Sequence, residues 1–124
     1  MAYNESKAAE INALRVDSSV TPAVTGFDIL PNRFVKAVAP NAIDYAAAAT
    51  DATLGVTGNG GMIGDLVPVY IDGIHKVEAG AAITAGQFVT SGLTGLAAVG
   101  TQANKKGIAQ DSAGIGELVT VALL

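Results

Sequence analysis

From Gly64 onward the chain is cut into short pieces by glycine. Turn signals fall at Asp72-Gly73, Glu78-Ala-Gly80, Ser91-Gly-Leu-Thr-Gly95, Asn104-Lys-Lys-Gly107 and Asp111-Ser-Ala-Gly-Ile-Gly116. They recur roughly every ten residues, the spacing of a β-sandwich or barrel. The pieces between them read as strands. Residues 66–71 are almost wholly apolar, the pattern of a strand covered on both faces. Pro68 cannot donate to a ladder, so that strand is expected at an edge or at a bulge. Asp72-Gly73, between Ile71 and Ile74, is a two-residue hairpin signal. Gly86 interrupts residues 83–90 where a bulge or a close backbone approach fits. Residues 117–124 are mostly aliphatic or β-branched and read as a strand that closes a sheet. No internal repeat is evident. The expected fold class is all-β, a small barrel or sandwich over residues 33–124, preceded by an extended N-terminal arm over residues 1–32.

The arm differs from the rest in charge. Residues 1–36 hold four basic residues against four acids, so the later part, with three basic and seven acidic residues, carries the whole net charge of −4. Residues 6–15 hold good helix formers, with Ile11 and Leu14 three apart and Arg15 suited to a helix C-terminus. A ten-residue helix is marginal without a partner surface. Pro22 and Pro31 favour extended backbone just before them. Two readings stand side by side: an arm with a short helix that orders on contact, or an edge strand and loop packed on the chain's own barrel. Arg33 to Val38 reads as a strand stopped at Ala39-Pro40-Asn41. The alanine run after Ile43 reads as strand or irregular chain, and residues 58–64 as an open loop.

The 124 residues suit one domain. Half are hydrophobic, yet only 5% are aromatic and fifteen are glycine. Small side chains bury little area, at about 25 cal/mol per Å², so a monomer is expected to be marginal and an oligomer favoured. There is no cysteine, hence no disulfide. The acidic balance argues against nucleic acid as a partner. With no basic amphipathic stretch and no run of about 18 apolar residues, no membrane partner is expected. The first residues lack the basic start and apolar core of a signal peptide, so a soluble protein is expected.

The order Asp72-Gly-Ile-His-Lys-Val-Glu-Ala-Gly80, Ala82-Ile-Thr-Ala-Gly-Gln-Phe-Val-Thr-Ser91, Gly107-Ile-Ala-Gln110 and Gly116-Glu-Leu-Val-Thr-Val121 resembles the capsid cement (head decoration) proteins of tailed bacteriophages. The resemblance reaches back weakly to Phe34-Val-Lys36 and Ala52-Thr-Leu-Gly-Val-Thr57, and does not clearly include the arm. It implies a virion protein, made in the host cytoplasm and carried on the outer capsid surface. There it would be a homotrimer contacting the major capsid protein.

Chemistry finds little footing in the sequence. A catalytic reading would join His75, the only histidine, to Asp72 and Ser91; no nucleophile elbow accompanies them, and no enzyme is expected. The 58–64 loop lacks the Lys-Ser/Thr pair of a phosphate loop. Asp65, Asp72 and Asp111 match no calcium loop, and one histidine without cysteine makes no ordinary zinc site. No catalytic, metal or cofactor residue is therefore assigned. Candidate capsid or subunit contacts are Tyr3, Ile11, Leu14, Val16 and Phe27 in the arm, with the 58–64 loop beside them. The alternative function is a carbohydrate- or receptor-binding β-module of a phage or cell-surface appendage. Its usual aromatic platform would have to come from Phe34, Tyr45, Tyr70 and Phe88.

Overall fold

The computed structural model describes residues 10–17 and 28–124, with the side chains of residues 10–13 left aside. The described chain is all β, with no α-helix and a single 3-10 turn at Leu93–Gly95. Five strands form a closed barrel: β1 (Glu10–Val16), β2 (Phe34–Ala39), β3 (Ala42–Tyr45), β4 (Gly55–Thr57) and β5 (Leu66–Tyr70), in the order β1-β3-β2-β4-β5. Five more form a second sheet: β6 (Ile74–Glu78), β7 (Phe88–Ser91), β8 (Ala97–Val99), β9 (Gly107–Ala109) and β10 (Leu118–Leu123), in the order β6-β10-β9-β7-β8.

Of the two readings of the arm, the described residues show the strand packed on its own barrel, though not at an edge. Residues 10–15 are not helical; they belong to β1, which runs parallel to β3 and antiparallel to β5 and so closes the barrel. Leu14 and Val16 reach inward to Ile29, Val35, Ile43, Tyr45, Val67 and Val69, which together fill the barrel. Burying that face between two strands outweighs a local helix preference of a few tenths of a kcal/mol per residue. Residues 6–9 lie outside the described residues.

β5 also departs from expectation. Val67 and Val69 are buried while Leu66 is 65% exposed, so the inner face is fully covered and the outer face only in part, towards Tyr70. It lies between β1 and β4 and is not an edge. Pro68 sits opposite a register shift in β1 between Ile11 and Leu14, the bulge alternative; its carbonyl accepts the Gly58 N–H, so its missing N–H faces the chain just past the end of β4.

Asp72-Gly73 is not a hairpin. β5 and β6 do not pair; the turn, with Gly73 at φ 89°, carries the chain from the barrel to the second sheet. There β6 pairs with β10, which lies inside the sheet between β6 and β9, not at its margin. At the far edge a parallel bridge joins Ala97 to Ala79, and the Gly80 N–H donates to the Ala97 carbonyl at 2.8 Å. The sheet thus curls nearly closed around Val77, Ile83, Val89, Val119, Val121 and four alanines.

One kind of turn occurs three times, a repeat that the sequence reading missed. In Gly64-Asp-Leu-Val67, Gly86-Gln-Phe-Val89 and Gly116-Glu-Leu-Val119 the glycine has a φ of 92°, 90° and 85°. The next side chain turns back to accept the N–H three residues before it: Asp65 from Met62 (2.9 Å), Gln87 from Thr84 (2.8 Å) and Glu117 from Gly114 (2.7 Å). A strand follows each time. Gly86 therefore belongs to a tight turn, not a bulge. Positive φ is close to free for glycine alone, which explains its recurrence.

Candidate assembly surface

The barrel and the second sheet share a core. The barrel's outward row Phe34, Val56 and Tyr70, aligned across β2, β4 and β5, faces the second sheet. Phe34 and Val56 pack among Val77, Val89 and Val121, and the Tyr70 ring stacks on His75 at 4.4 Å. Arg33, nearly buried, ties the two parts together. Its guanidinium donates to Glu78 Oε1 at 3.1 Å and to the Thr94 carbonyl at 3.0 Å. The Glu78 N–H donates to the Asn32 carbonyl at 3.0 Å. Gly95 lies so close to Phe34 that a Cβ would stand 2.4 Å from its carbonyl oxygen. This rigid seam fixes the surfaces on either side of it.

Among the described residues, two gatherings of exposed apolar side chains offer contact surfaces. At one end of the barrel, the Arg15 N–H bonds to the Asn41 carbonyl, the Val16 N–H to the Asp65 carbonyl and the Gly64 N–H to the Val16 carbonyl. These bonds gather exposed Met62, Ile63 and Leu66 beside Arg15. The 58–64 loop there is pinned, not open. Asp28, 8% exposed, accepts the Ile63 N–H at 2.6 Å, and Gly61 exchanges backbone bonds with Ile29. On the second sheet, register aligns Ile74, Ala122, Ile108 and Phe88 as one outward apolar row across β6, β10, β9 and β7. Sequence reading missed this row because it depends on pairing between strands distant in the chain.

The expected contact residues are distributed differently. Tyr3 and Phe27 lie outside the described residues, and Ile11 is described only as a backbone position paired with Val69. Leu14 and Val16 are 6% and 1% exposed inside the barrel, so their side chains are spent on the chain's own core. Neither presents a surface to a partner in this fold.

The trio considered for catalysis is not assembled. His75 Nε2 lies 2.7 Å from the backbone carbonyl of Asp72, and the buried Ser91 hydroxyl donates to the Ala48 carbonyl at 2.7 Å. Their strands are three positions apart in the sheet, on the order of 14 Å at the usual strand spacing. Asp65 and Asp111 cap turns: Asp65 accepts the Met62 N–H, and Asp111 accepts the Thr120 N–H and hydroxyl. Those two bonds hold the Asp111 carboxyl below its ordinary value. Among the described residues, no three His, Cys, Asp or Glu side chains converge on a point.

Two further groups have shifted titration. Burial raises the Tyr45 phenol, against the opposing bond from the Leu30 N–H. Burial pushes the Asp51 carboxyl up; the Ala48 N–H, Lys36 and the Ala47 N–H outweigh it and hold the group below its ordinary value.

Geometry defines the class as an all-β protein of a closed barrel fused to a curled sheet, with apolar surface on both parts. No family model matches the chain. No curated protein matches it either. Among solved structures, it is similar to the N base of the head fiber gp8.5 of bacteriophage phi29, with a TM-score of 0.70 and 24% identity. The likeness covers 94% of this chain and 93% of that one. At this identity it shows a shared fold.

Proposed function

We propose that this chain is a structural, non-enzymatic protein of a bacteriophage head, and more finely a decoration (cement) protein. It would bind the outer surface of the assembled head and stabilise the major capsid protein lattice. The observation that carries the reading is the near end-to-end likeness to the phi29 head fiber base. The resemblance of the 72–121 motifs to cement proteins supports it independently. Cement action is linkage: a protein that binds the assembled lattice and not its separated subunits stabilises the lattice by mass action. The exposed apolar residues at the barrel end and across the second sheet suit contacts with the lattice and between copies in a homotrimer.

A second reading follows from the same neighbour: a base seated on the head that bears a fiber. The glycan- or receptor-binding module has less support. Phe34 and Tyr45 are buried, Tyr70 is stacked on His75, and Lys105 lies over Phe88, which leaves no open aromatic platform among these four.

Thermal release of DNA from heads lacking the protein, with and without saturating added chain, separates the readings. Cement action predicts release at a higher temperature when the chain is bound. Binding without any change in release temperature would favour the fiber base over the cement protein.

A further inference from the structure

A groove of about 240 Å³ opens where the barrel meets the second sheet. Phe34 and Leu54 line it from the barrel and Leu123 from β10, with Ile71 and Leu124 at its margin. Leu124 is 67% exposed. Leu123 points to the face of β10 opposite Ala122, so the groove is distinct from the outward apolar row of the second sheet. Lys105 and Lys106 complete the lining. Lys106 Nζ donates to the Asp51 carbonyl at 2.7 Å, which fixes its stem and leaves two of the three ammonium donors. Lys105 is held with its ammonium 5.0 Å from the Phe88 ring centroid. The Thr53 hydroxyl, on another lining residue, is buried without a hydrogen-bond partner.

Charge and size together say what fits. The chain is acidic overall, and beyond Lys36 its only basic residues are Lys76, Lys105 and Lys106. Two of those three stand at this groove. The nearby Asp51 carboxylate is occupied by Lys36 and the Ala47 and Ala48 N–H groups, so it does not answer their charge. Small-molecule sites usually span roughly 300–1,000 Å³; this groove is smaller, suited to side chains of a protein segment.

We propose that the groove is a docking site for an acidic, apolar segment of a partner protein. An aliphatic side chain sits on Leu54 and Leu123, above the buried Phe34, and a neighbouring carboxylate meets Lys105 and Lys106. This holds whether or not the partner belongs to a capsid, since it rests on charge complementarity and shape alone.

The test is a titration of the ¹⁵N-labelled full chain followed by amide shifts. The probes are the blocked peptides acetyl-Glu-Leu-Leu-Glu-amide, acetyl-Lys-Leu-Leu-Lys-amide and acetyl-Glu-Gly-Gly-Glu-amide. The acidic leucine peptide is expected to shift residues 53–55, 71, 105–106 and 123–124 saturably, and the other two peptides to shift them far less. In Lys105→Glu the dissociation constant should rise about tenfold, equivalent to about 1.4 kcal/mol. Leu124→Asp, at an exposed position, should weaken binding as well, with the remaining spectrum showing that each variant is folded. Equal response to all three peptides, unchanged affinity in both variants, or no saturable shift up to about 5 mM, the weak end of the affinity scale, would overturn the proposal.

Discussion

Leu14, Ile29, Ile43 and Tyr45 fill much of the barrel, whereas the second sheet closes over Ala79, Ala97, Ala109 and Ala113 beside its valines. Large side chains hold strands around a wide centre, and the barrel accepts a distant strand, β1, parallel to β3. Alanine cores require backbones to come close. In the second sheet Gly107 permits this: a Cβ there would stand 2.4 Å from Val121 Cγ1 and 2.6 Å from the Ala122 carbonyl oxygen. Two of the three repeated turns launch its strands β7 and β10. One part is specified mostly by long-range packing, the other mostly by local turn chemistry. They meet in Phe34, which belongs to the barrel wall and packs in the other part's core.

The strongest way to break this comparison is to block a close approach in each part. Gly107→Val meets Val121, and Gly55→Val would put a Cβ 2.2 Å from the Tyr70 carbonyl oxygen. Each should cost more than about 4 kcal/mol. Because the core is shared, each should unfold the whole chain in one denaturant transition, read by circular dichroism. Two separated transitions would show the parts to be independent. Phe34→Ala should cost about 3–5 kcal/mol and lower amide protection in both parts together. Loss confined to the barrel would contradict the shared core.

Smaller effects sharpen the contrast. Gly64→Ala and Gly116→Ala each place a side chain at positive φ in open space, at about 1–2 kcal/mol. Equal costs, measured by denaturant midpoint, would show the repeated turns to be equivalent across the two parts.

Titration gives the smallest effects. Tyr45 has a raised folded pKa, so its contribution is present below the ordinary value of 10.0 and is lost as pH rises through the higher folded value. Asp51 has a lowered one, so its contribution is present above the ordinary 3.8 and is lost as pH falls through the lower folded value. In Tyr45→Phe the alkaline fall in melting temperature should flatten, and in Asp51→Asn the acid fall should do so.

The same contrast explains what was legible in the sequence. The turns after Glu78 announce themselves through glycine and asparagine, and the strands between them lie where those turns place them. β1 did not, because Glu10, Ala13, Leu14 and Arg15 favour helix locally and only β3 and β5, far along the chain, supply the alternative. Asp72-Gly73 looked like a hairpin because pairing partners are invisible locally; β6 prefers β10, some forty residues away. The repeated Gly-Asp/Gln/Glu-Leu/Phe-Val pattern could have been found, since its spacing is in plain sight. The assembly surface was the least legible: Leu14 and Val16 looked available because nothing local shows that β3 and β5 flank their strand. The row Ile74, Ala122, Ile108 and Phe88 exists only once four strands are in register.

The measurement that tests the functional account most directly is co-sedimentation of the purified chain with mature phage heads lacking it. The account predicts saturable binding in fixed proportion to the capsid lattice, with no binding to unassembled major capsid protein. Failure to bind any form of the head would contradict it.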